Sequence, residues 1–275
     1  MNFGYLLITS KNETVDYNKL AYALALSIKN TQKEGYDKVC LVTDDIDSIE
    51  QFKSSWVFDQ IIEYKNAKGW DNRNYMDQLS PFDYTVCLDV DMLFLNDCSH
   101  WIEYLIENEE LFIPTDVYTY RDELVTSDYY RKTFTANQLP NTYSMFTFFD
   151  SKSNLCKDFF ALNREIFNGK IEFSNLYLNE HKPKVIGTDE SFGLASKILE
   201  INYTKLIFPK IVHMKGQLQN WPWPADDWTD HVGFYYNKSG LKIANFKQRD
   251  LIHYVDKKLI TDEVINVLEE VAWKK

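Results

Sequence analysis

Two aspartates with one residue between them, Asp89 and Asp91, follow an apolar run at residues 85–88 (TVCL). Such near-continuous apolar runs are typical of the central strands of parallel sheets, which are covered on both faces. Residues two apart in a strand project to the same face, so the two carboxylates are predicted to point the same way. Two such carboxylates repel each other and are costly to desolvate, and a divalent cation removes both problems. Because oxygen ligands suit Mg²⁺ and Mn²⁺, the spacing predicts a metal site; the alternative is a turn whose two aspartates face water.

The segments around the two aspartates predict an α/β fold with a mostly parallel central sheet flanked by helices. Residues 3–9 and 39–43 are apolar runs of strand length, and residues 16–30 between them repeat apolar positions at helical spacing. Strand–helix–strand is the unit of a parallel sheet, and ligands of such sheets bind beyond the carboxyl ends of the strands. Further strands are expected at residues 60–64, 85–88, 111–114, 145–149 and 210–214, and further helices at residues 48–55, 68–79, 101–105, 156–167, 189–198 and 261–271.

Composition restricts the class of protein and its surroundings. The chain has 275 residues and a formal net charge of −11, so it lacks the overall basic character expected of a nucleic-acid-binding protein. The four cysteines form no CxxC pair, which favours a reducing compartment. No apolar stretch approaches the roughly 20 residues of a membrane span, and the apolar part of the N-terminus is too short for a signal peptide. We therefore expect a cytoplasmic protein without a membrane span, and the oligomeric state is left open.

Four segments in a fixed order resemble the glycosyltransferases of the GT-A fold. Residues 85–95 (TVCLDVDMLFL) resemble the strand that carries the family's Asp-x-Asp motif, and Arg73 precedes the first aspartate by 16 residues. Residues 188–190 resemble the acidic segment that opens a helix near the sugar. Residues 213–216 (HMKG), followed by Trp221, resemble the C-terminal His-x-x-Gly motif. The chain is most similar to family 8, the glycogenin and galactosyltransferase group, and to glycosyltransferases encoded by tailed phages.

The resemblance implies a fold, a reaction and a metal. The fold would be a single Rossmann-like GT-A domain over residues 1–275, with a nucleotide-binding half at 1–115 and an acceptor-side half with a C-terminal cover at 116–275. The reaction would move a sugar from a nucleoside-diphosphate sugar, with a UDP-sugar as the expected donor, to a hydroxyl acceptor with retention of configuration. Mn²⁺ or Mg²⁺ would be held by Asp89, Asp91 and His213. In a phage-encoded enzyme the location would be the host cytoplasm.

The resemblance also implies roles for further side chains. Contacts to the donor are implied for a set of residues in both halves: Ile8, Thr9, Asp16, Tyr17, Lys19, Asp89, Val90, Lys215 and Gly216. Arg73, Asp189 and Glu190 would act in catalysis, because they would flank a sugar that develops oxocarbenium character. On residue type alone, an arginine such as Arg73 is more often a surface charge, and Asp189 is equally a residue stabilised by a helix N-terminus. The family's Lys-Pro-Trp is replaced by residues 219–221 (QNW), and Lys215 is the candidate substitute for the missing lysine.

The acceptor and two other classes of protein stay open. Residues 116–144 are irregular and rich in aromatic and cationic side chains, namely Tyr118, Tyr120, Arg121, Tyr129, Tyr130, Arg131 and Lys132. Such side chains can bind a glycan or a flipped base of DNA, or can form an ordinary packed loop. Candidate acceptors are a hydroxymethylated base in phage DNA, a glycan, a lipid-linked sugar and a protein. The alternatives are a metal-dependent nucleotidyltransferase, which would usually show a Gly-rich phosphate loop, and a non-catalytic binding module.

Overall fold

The computed structural model describes residues 2–65, 69–126, 131–205, 209–216, 221 and 223–272. The strands are β1 (Phe3–Ile8), β2 (Val39–Thr43), β3 (Gln60–Glu63), β4 (Tyr84–Leu88), β5 (Met92–Phe94), β6 (Leu111–Phe112), β7 (Phe146–Asp150), β8 (Ile211–His213), β9 (Phe234–Asn237), β10 (Gly240–Ile243), β11 (Phe246–Lys247) and β12 (Leu251–His253). The helices are α1 (Tyr17–Thr31), α2 (Met76–Leu79), α3 (Ser99–Asn108), α4 (Lys132–Ala136), α5 (Asn154–Asn168), α6 (Lys170–Tyr177), α7 (Thr188–Ile198) and α8 (Asp262–Ala272).

The central sheet has six strands in the order β3-β2-β1-β4-β7-β6. The neighbours among β3, β2, β1 and β4 are parallel, whereas β7 runs antiparallel to both β4 and β6. The apolar runs at β2 and β4 are buried as predicted, and only Tyr84 of these two strands is partly exposed. The predicted α/β class with a mostly parallel sheet is therefore confirmed. The carboxyl ends of β1, β2 and β4 lie together at one edge of this sheet.

Helices cover both faces of the central sheet and create two hydrophobic cores. On one face, α1 is buried through its middle turns and is joined to α8 by a hydrogen bond between Tyr22 and Glu269 (2.8 Å). On the other face, α5 and α7 pack through Phe159, Phe160 and Phe192. Each predicted helix from α3 onwards lies within a few residues of its predicted bounds. The segment at 48–55 instead forms short 3-10 turns, and α4 and α6 are additional to the prediction.

Two small sheets lie beside the central one. The first has the order β5-β12-β8, with β12 antiparallel to β5 and parallel to β8. In this sheet His253 of β12 pairs with Met92 of β5 on one side and with His213 of β8 on the other. The second has the order β11-β10-β9. Of these strands the sequence predicted only β8, and the order β5-β12-β8 decides which histidine approaches the aspartates.

Among the described residues, no helix combines the length and the apolar character that a bilayer crossing requires.

Candidate active site

Asp89 and Asp91 lie where the chain leaves β4 and turns into β5. The backbone N–H of Asp89 donates to the carbonyl of Met145 (2.9 Å), and the carbonyl of Asp91 accepts from the N–H of Tyr254 (3.1 Å). These bonds hold the turn between β7 and the end of β12. Asp91 is buried, Asp89 is partly exposed, and both line a cavity of about 590 Å³. The predicted convergence of the two aspartates at a strand end is therefore observed.

A histidine completes a group that could hold a metal. Nε2 of His253 lies 3.0 Å from Oδ1 of Asp91 and 3.7 Å from Oδ2 of Asp89. One ligand atom from each residue falls within 4.8 Å of the others. Two carboxylates and one imidazole suit Mn²⁺ or Mg²⁺, and the imidazole favours Mn²⁺. The donor set therefore fits the predicted cation.

In the described residues this group contains His253, whereas the sequence predicted His213. The reason is the strand order β5-β12-β8, which places His253 beside the strand that follows Asp91 and His213 one strand farther away. The two imidazoles stack with centroids 4.7 Å apart, and both line the cavity. Residues 251–253 (LIH) show the same pattern as residues 211–213 (IVH), an apolar run that ends in histidine. That pattern was the available signal for His253.

Cations already neutralise both aspartates. Nζ of Lys257 donates to Oδ2 of Asp91 (2.9 Å), and Arg73 forms an ion pair with Asp89. Burial raises the pKa of Asp91, but His253 and Lys257 outweigh it and the pKa is lowered. Burial also raises the pKa of Asp89, and there it outweighs the opposing effect of Arg73. Burial would lower the pKa of His253, but the neighbouring carboxylate of Asp91 reverses this and raises it.

The structure places most of the predicted donor contacts along the same cavity. Its lining includes the predicted residues Ile8, Thr9, Tyr17, Arg73, Val90 and Lys215. Gly216 ends the short 3-10 turn that follows β8. Lys11 and Lys257, which the sequence analysis did not select, also line the cavity and add cationic groups. The aspartate–histidine group and several cationic side chains therefore line the same cavity.

Asp16 and Lys19 have structural partners at the start of α1. The carboxylate of Asp16 accepts from the backbone N–H of Lys19 (2.9 Å) and caps the helix, as aspartate commonly does. The ammonium of Lys19 pairs with Asp262 of α8 (2.7 Å). Asp16 lines an adjoining cavity of about 350 Å³, which shares Tyr17 with the larger one. Asp16 therefore lies at a cavity that a ligand could enter, whereas the ammonium of Lys19 is paired with α8.

Asp189 and Glu190, the two predicted acidic catalytic residues, both form hydrogen bonds within the protein. Oδ1 of Asp189 accepts from the N–H (2.9 Å) and hydroxyl (2.6 Å) of Ser144, and Oδ2 accepts from Arg131 (2.7 Å). Burial raises the pKa of Asp189, but Arg131 and Ser144 outweigh it and lower the pKa to about 2. The carboxylate of Glu190 accepts from the backbone N–H of Gly187 (3.0 Å) at the start of α7, which is one half of a capping box, because glycine has no side chain to supply the other half. Neither residue is among the described side chains that line the 590 Å³ cavity.

Arg131, one of the predicted acceptor contacts, lies in the protein interior. It is 5% exposed, and its guanidinium lies 3.9 Å from the ring centroid of Phe134 and 4.1 Å from that of Tyr143. Tyr120 is also buried, whereas Arg121 and Lys132 are exposed. Tyr129 and Tyr130 lie outside the described residues, as do positions 219 and 220 of the motif before Trp221. Arg131 and Tyr120 of the predicted acceptor segment therefore pack in the protein interior.

Comparisons with known proteins bear on the fold. No protein-family model and no curated protein matches the sequence. Mouse xyloside xylosyltransferase 1 in its apo form matches with a TM-score of 0.56 and 13% identity, over 92% of this chain and 97% of that chain. The apo WbbM bifunctional glycosyltransferase matches with a TM-score of 0.56 and 13% identity, over 99% of this chain and 51% of that one.

The chain has the fold of these glycosyltransferases. Identities of 13% carry no further information about the reaction, but the match over nearly the full length of both chains confirms the predicted GT-A-type architecture. The resemblance to family 8 and to phage enzymes stays a prediction. The chain spans about half of WbbM.

Proposed function

We propose that this chain is a metal-dependent glycosyltransferase that transfers a sugar from a nucleoside-diphosphate sugar to a hydroxyl group. The observation that carries the proposal is the convergence of Asp89, Asp91 and His253 at the carboxyl edge of the sheet. This group opens into a cavity of about 590 Å³ in a fold that solved glycosyltransferases share. Cavities of this size accommodate small-molecule ligands.

The side chains around the cavity suit an anionic donor. Asp89, Asp91 and His253 would hold Mn²⁺ or Mg²⁺, which when bound supplies Lewis-acid stabilisation of a departing diphosphate. Arg73, Lys215 and Lys11 line the same cavity and add positive charge where a diphosphate would lie. We propose that the β1 end, with Ile8, Thr9 and Tyr17, contacts the nucleoside, and that UDP-sugars are the donors. The division into a donor half at 1–115 and an acceptor half at 116–275 belongs to the same proposal.

Asp189 at the start of α7 would support the site indirectly. Asp189 holds Ser144, whose carbonyl accepts a hydrogen bond from Arg73 (3.3 Å), and Arg73 pairs with Asp89. Asp189 would therefore position the donor-binding arginine through Ser144. Retention of configuration stays part of the proposal, and NMR of the anomeric proton in the first product would test it.

The acceptor would be a hydroxyl compound. A hydroxymethylated base in phage DNA, a glycan and a protein are the candidates, and the net charge of −11 favours recognition of the acceptor group itself over recognition of a phosphate backbone. Transfer of radiolabelled sugar to hydroxymethylated DNA, unmodified DNA, glycans and proteins, under matched conditions, would identify the class.

A thermal-shift panel tests the proposal. Ligands that bind only the folded state raise the melting temperature, so UDP with Mn²⁺ should stabilise the protein more than UDP or Mn²⁺ alone. Asp91→Asn should abolish this combined effect and turnover of the active UDP-sugar, while the variant still unfolds cooperatively. Asp262→Asn, at an exposed carboxylate of α8, is the matched control and should behave like the wild type. Equal turnover by Asp91→Asn would refute the proposed metal role.

The reaction products distinguish nucleotidyl transfer from sugar transfer. A glycosyltransferase releases a nucleoside diphosphate from its donor, whereas a nucleotidyltransferase consumes a nucleoside triphosphate and releases pyrophosphate. Release of pyrophosphate without release of UDP from any UDP-sugar would favour the alternative.

A further inference from the structure

Lys257 contacts one carboxylate oxygen of Asp91, which is a predicted metal ligand. Its Nζ lies 2.9 Å from Oδ2 of Asp91 and also donates to the carbonyl of Val255 (2.6 Å). The other oxygen of Asp91 faces Nε2 of His253 at 3.0 Å. The side chain of Lys257 is 33% exposed and that of Asp91 is 11% exposed, so the contact is largely shielded from water. Both oxygens of Asp91 are therefore in use before any divalent cation arrives.

The charges of the site balance without a divalent cation. Asp91 is paired with Lys257, and Asp89 is paired with Arg73. A divalent cation bound to Asp91 would approach the ammonium closely, and like charges at such distances repel strongly in a shielded site. Two further carboxylates line the cavity, Asp44 and Asp226, but neither belongs to the group that could hold the metal. The cation must therefore displace Lys257 or bring compensating negative charge.

We propose that Lys257 is a displaceable counter-cation that makes metal binding depend on a diphosphate in the same cavity. The identity of the anion rests on the proposed function, whereas competition between Lys257 and the metal does not. Lys257 itself lines the cavity, so an ammonium released from Asp91 stays within reach of an anion bound there. The negative charge of the diphosphate then compensates the positive charges of both the metal and the released lysine. By linkage, the metal strengthens diphosphate binding by the same factor.

The neighbouring lysine supplies a matched control. Lys258 pairs with Asp227 (3.2 Å) and Asp230 (2.5 Å), and it is not among the described residues that line the cavity. Lys257→Met removes the ammonium and retains an apolar stem of similar length, and Lys258→Met makes the same change one position away. Lys257→Gln is a second variant that keeps a hydrogen-bond donor without the charge. Cooperative thermal unfolding establishes that each protein is folded.

Mn²⁺ binding measured by the EPR signal of the free ion tests the inference without an activity assay. Wild type is expected to bind Mn²⁺ weakly alone and more tightly with UDP. Lys257→Met and Lys257→Gln should bind Mn²⁺ alone more tightly than wild type, by about tenfold for a typical coupling between sites. The further tightening by UDP should be smaller in both variants than in wild type. Lys258→Met should match wild type in both measurements.

The outcomes separate the two proposals. If neither Lys257 variant binds Mn²⁺ alone more tightly than wild type, Lys257 does not compete with the metal and the inference is overturned. If both variants tighten Mn²⁺ binding but UDP changes no affinity, competition by Lys257 stands and the proposed donor class fails. If no protein binds Mn²⁺ with or without UDP, both proposals fail.

Discussion

Asp91 is the residue on which the proposed chemistry most depends. One carboxylate oxygen faces His253 and the other faces Lys257, and the pKa of the group is lowered by these two partners against the effect of burial. The carboxylate is thus ionised at neutral pH, with a contact at each of its two oxygens. At Asp89 the partner is Arg73, which also reaches the carbonyl of Ser144. Each ligand therefore belongs to a small network with cationic side chains.

Replacing each of the two stacked histidines is expected to affect metal binding to a different extent. His253→Ala should weaken Mn²⁺ binding in the presence of UDP by at least about tenfold, because it removes a ligand. His213→Ala should change the affinity by less than about threefold, because its ring lies one strand farther from the aspartates. Isothermal titration of both variants against wild type measures the difference. A larger loss of Mn²⁺ affinity for His213→Ala than for His253→Ala would instead identify His213, as the sequence predicted, as the metal ligand.

The aspartate pair was predictable from sequence, but its histidine partner was not. Asp89 and Asp91 terminate an apolar strand, and the period of two in a strand is a local property. His253 meets Asp91 across 162 residues of chain, so the choice between it and His213 depends on strand order. Both histidines end an apolar run, and it is the pairing of β12 with β5 that brings His253 beside the aspartates. The family motif accordingly led to His213.

At the scale of elements, a buried arginine joins the acceptor-side segment to α7. Arg131 lies between the rings of Phe134 and Tyr143, and its guanidinium binds Asp189 and the side chain of Asn141 (2.5 Å). Asp189 in turn holds Ser144 just before β7. The beginning of α7, the segment before β7 and α4 are thus fixed to one another. This network supports the side of the cavity on which Arg73 lies.

The Arg131–Asp189 pair predicts an acid-sensitive contribution to stability. The folded pKa of Asp189 is about 2, below the ordinary value of about 3.9 for an unfolded aspartate. The ionised carboxylate therefore stabilises the fold above about pH 4, and this contribution is lost as the pH falls towards 2. Asp189→Asn should lower the free energy of unfolding by about 2 kcal/mol at pH 7.

Urea unfolding at pH 7 and at pH 3 measures this contribution. The difference between wild type and Asp189→Asn should shrink at the lower pH, because the wild-type carboxylate begins to lose its advantage. Asp262→Asn provides the control, since its carboxylate is exposed and pairs only at the surface with Lys19. A difference that is the same at both pH values would show that the charge of Asp189 contributes nothing.

Long elements were predicted more accurately than short ones. The central strands and α1, α5, α7 and α8 lie within one or two residues of their predicted bounds, because their apolar periods extend over several turns or pleats. The three-residue strands β5 and β12 contain too few positions to show a period. Their pairing is stabilised by tertiary contacts instead, with β12 buried along its length between β5 and β8. His253 of the candidate site lies on one of these short strands, so its position beside the aspartates could not be predicted from the sequence.

At the scale of the whole molecule, the sheet separates two hydrophobic cores and leaves one edge for a ligand. The cores contain the apolar faces of α1 and α8 on one side and of α5 and α7 on the other. The carboxyl ends of β1 and β4 remain uncovered and line the cavity, as expected for α/β sheets. This arrangement agrees with the full-length match to a solved glycosyltransferase.

A crystal structure of the protein grown with Mn²⁺ and UDP would show whether Asp89, Asp91 and His253 hold a metal beside the diphosphate. Anomalous scattering locates manganese independently of any model of the side chains. We expect an anomalous peak beside Asp89, Asp91 and His253 together with the diphosphate, with the ammonium of Lys257 withdrawn from Asp91. A structure with UDP bound but with Asp91 still paired to Lys257, and with no manganese beside the two aspartates, would contradict it.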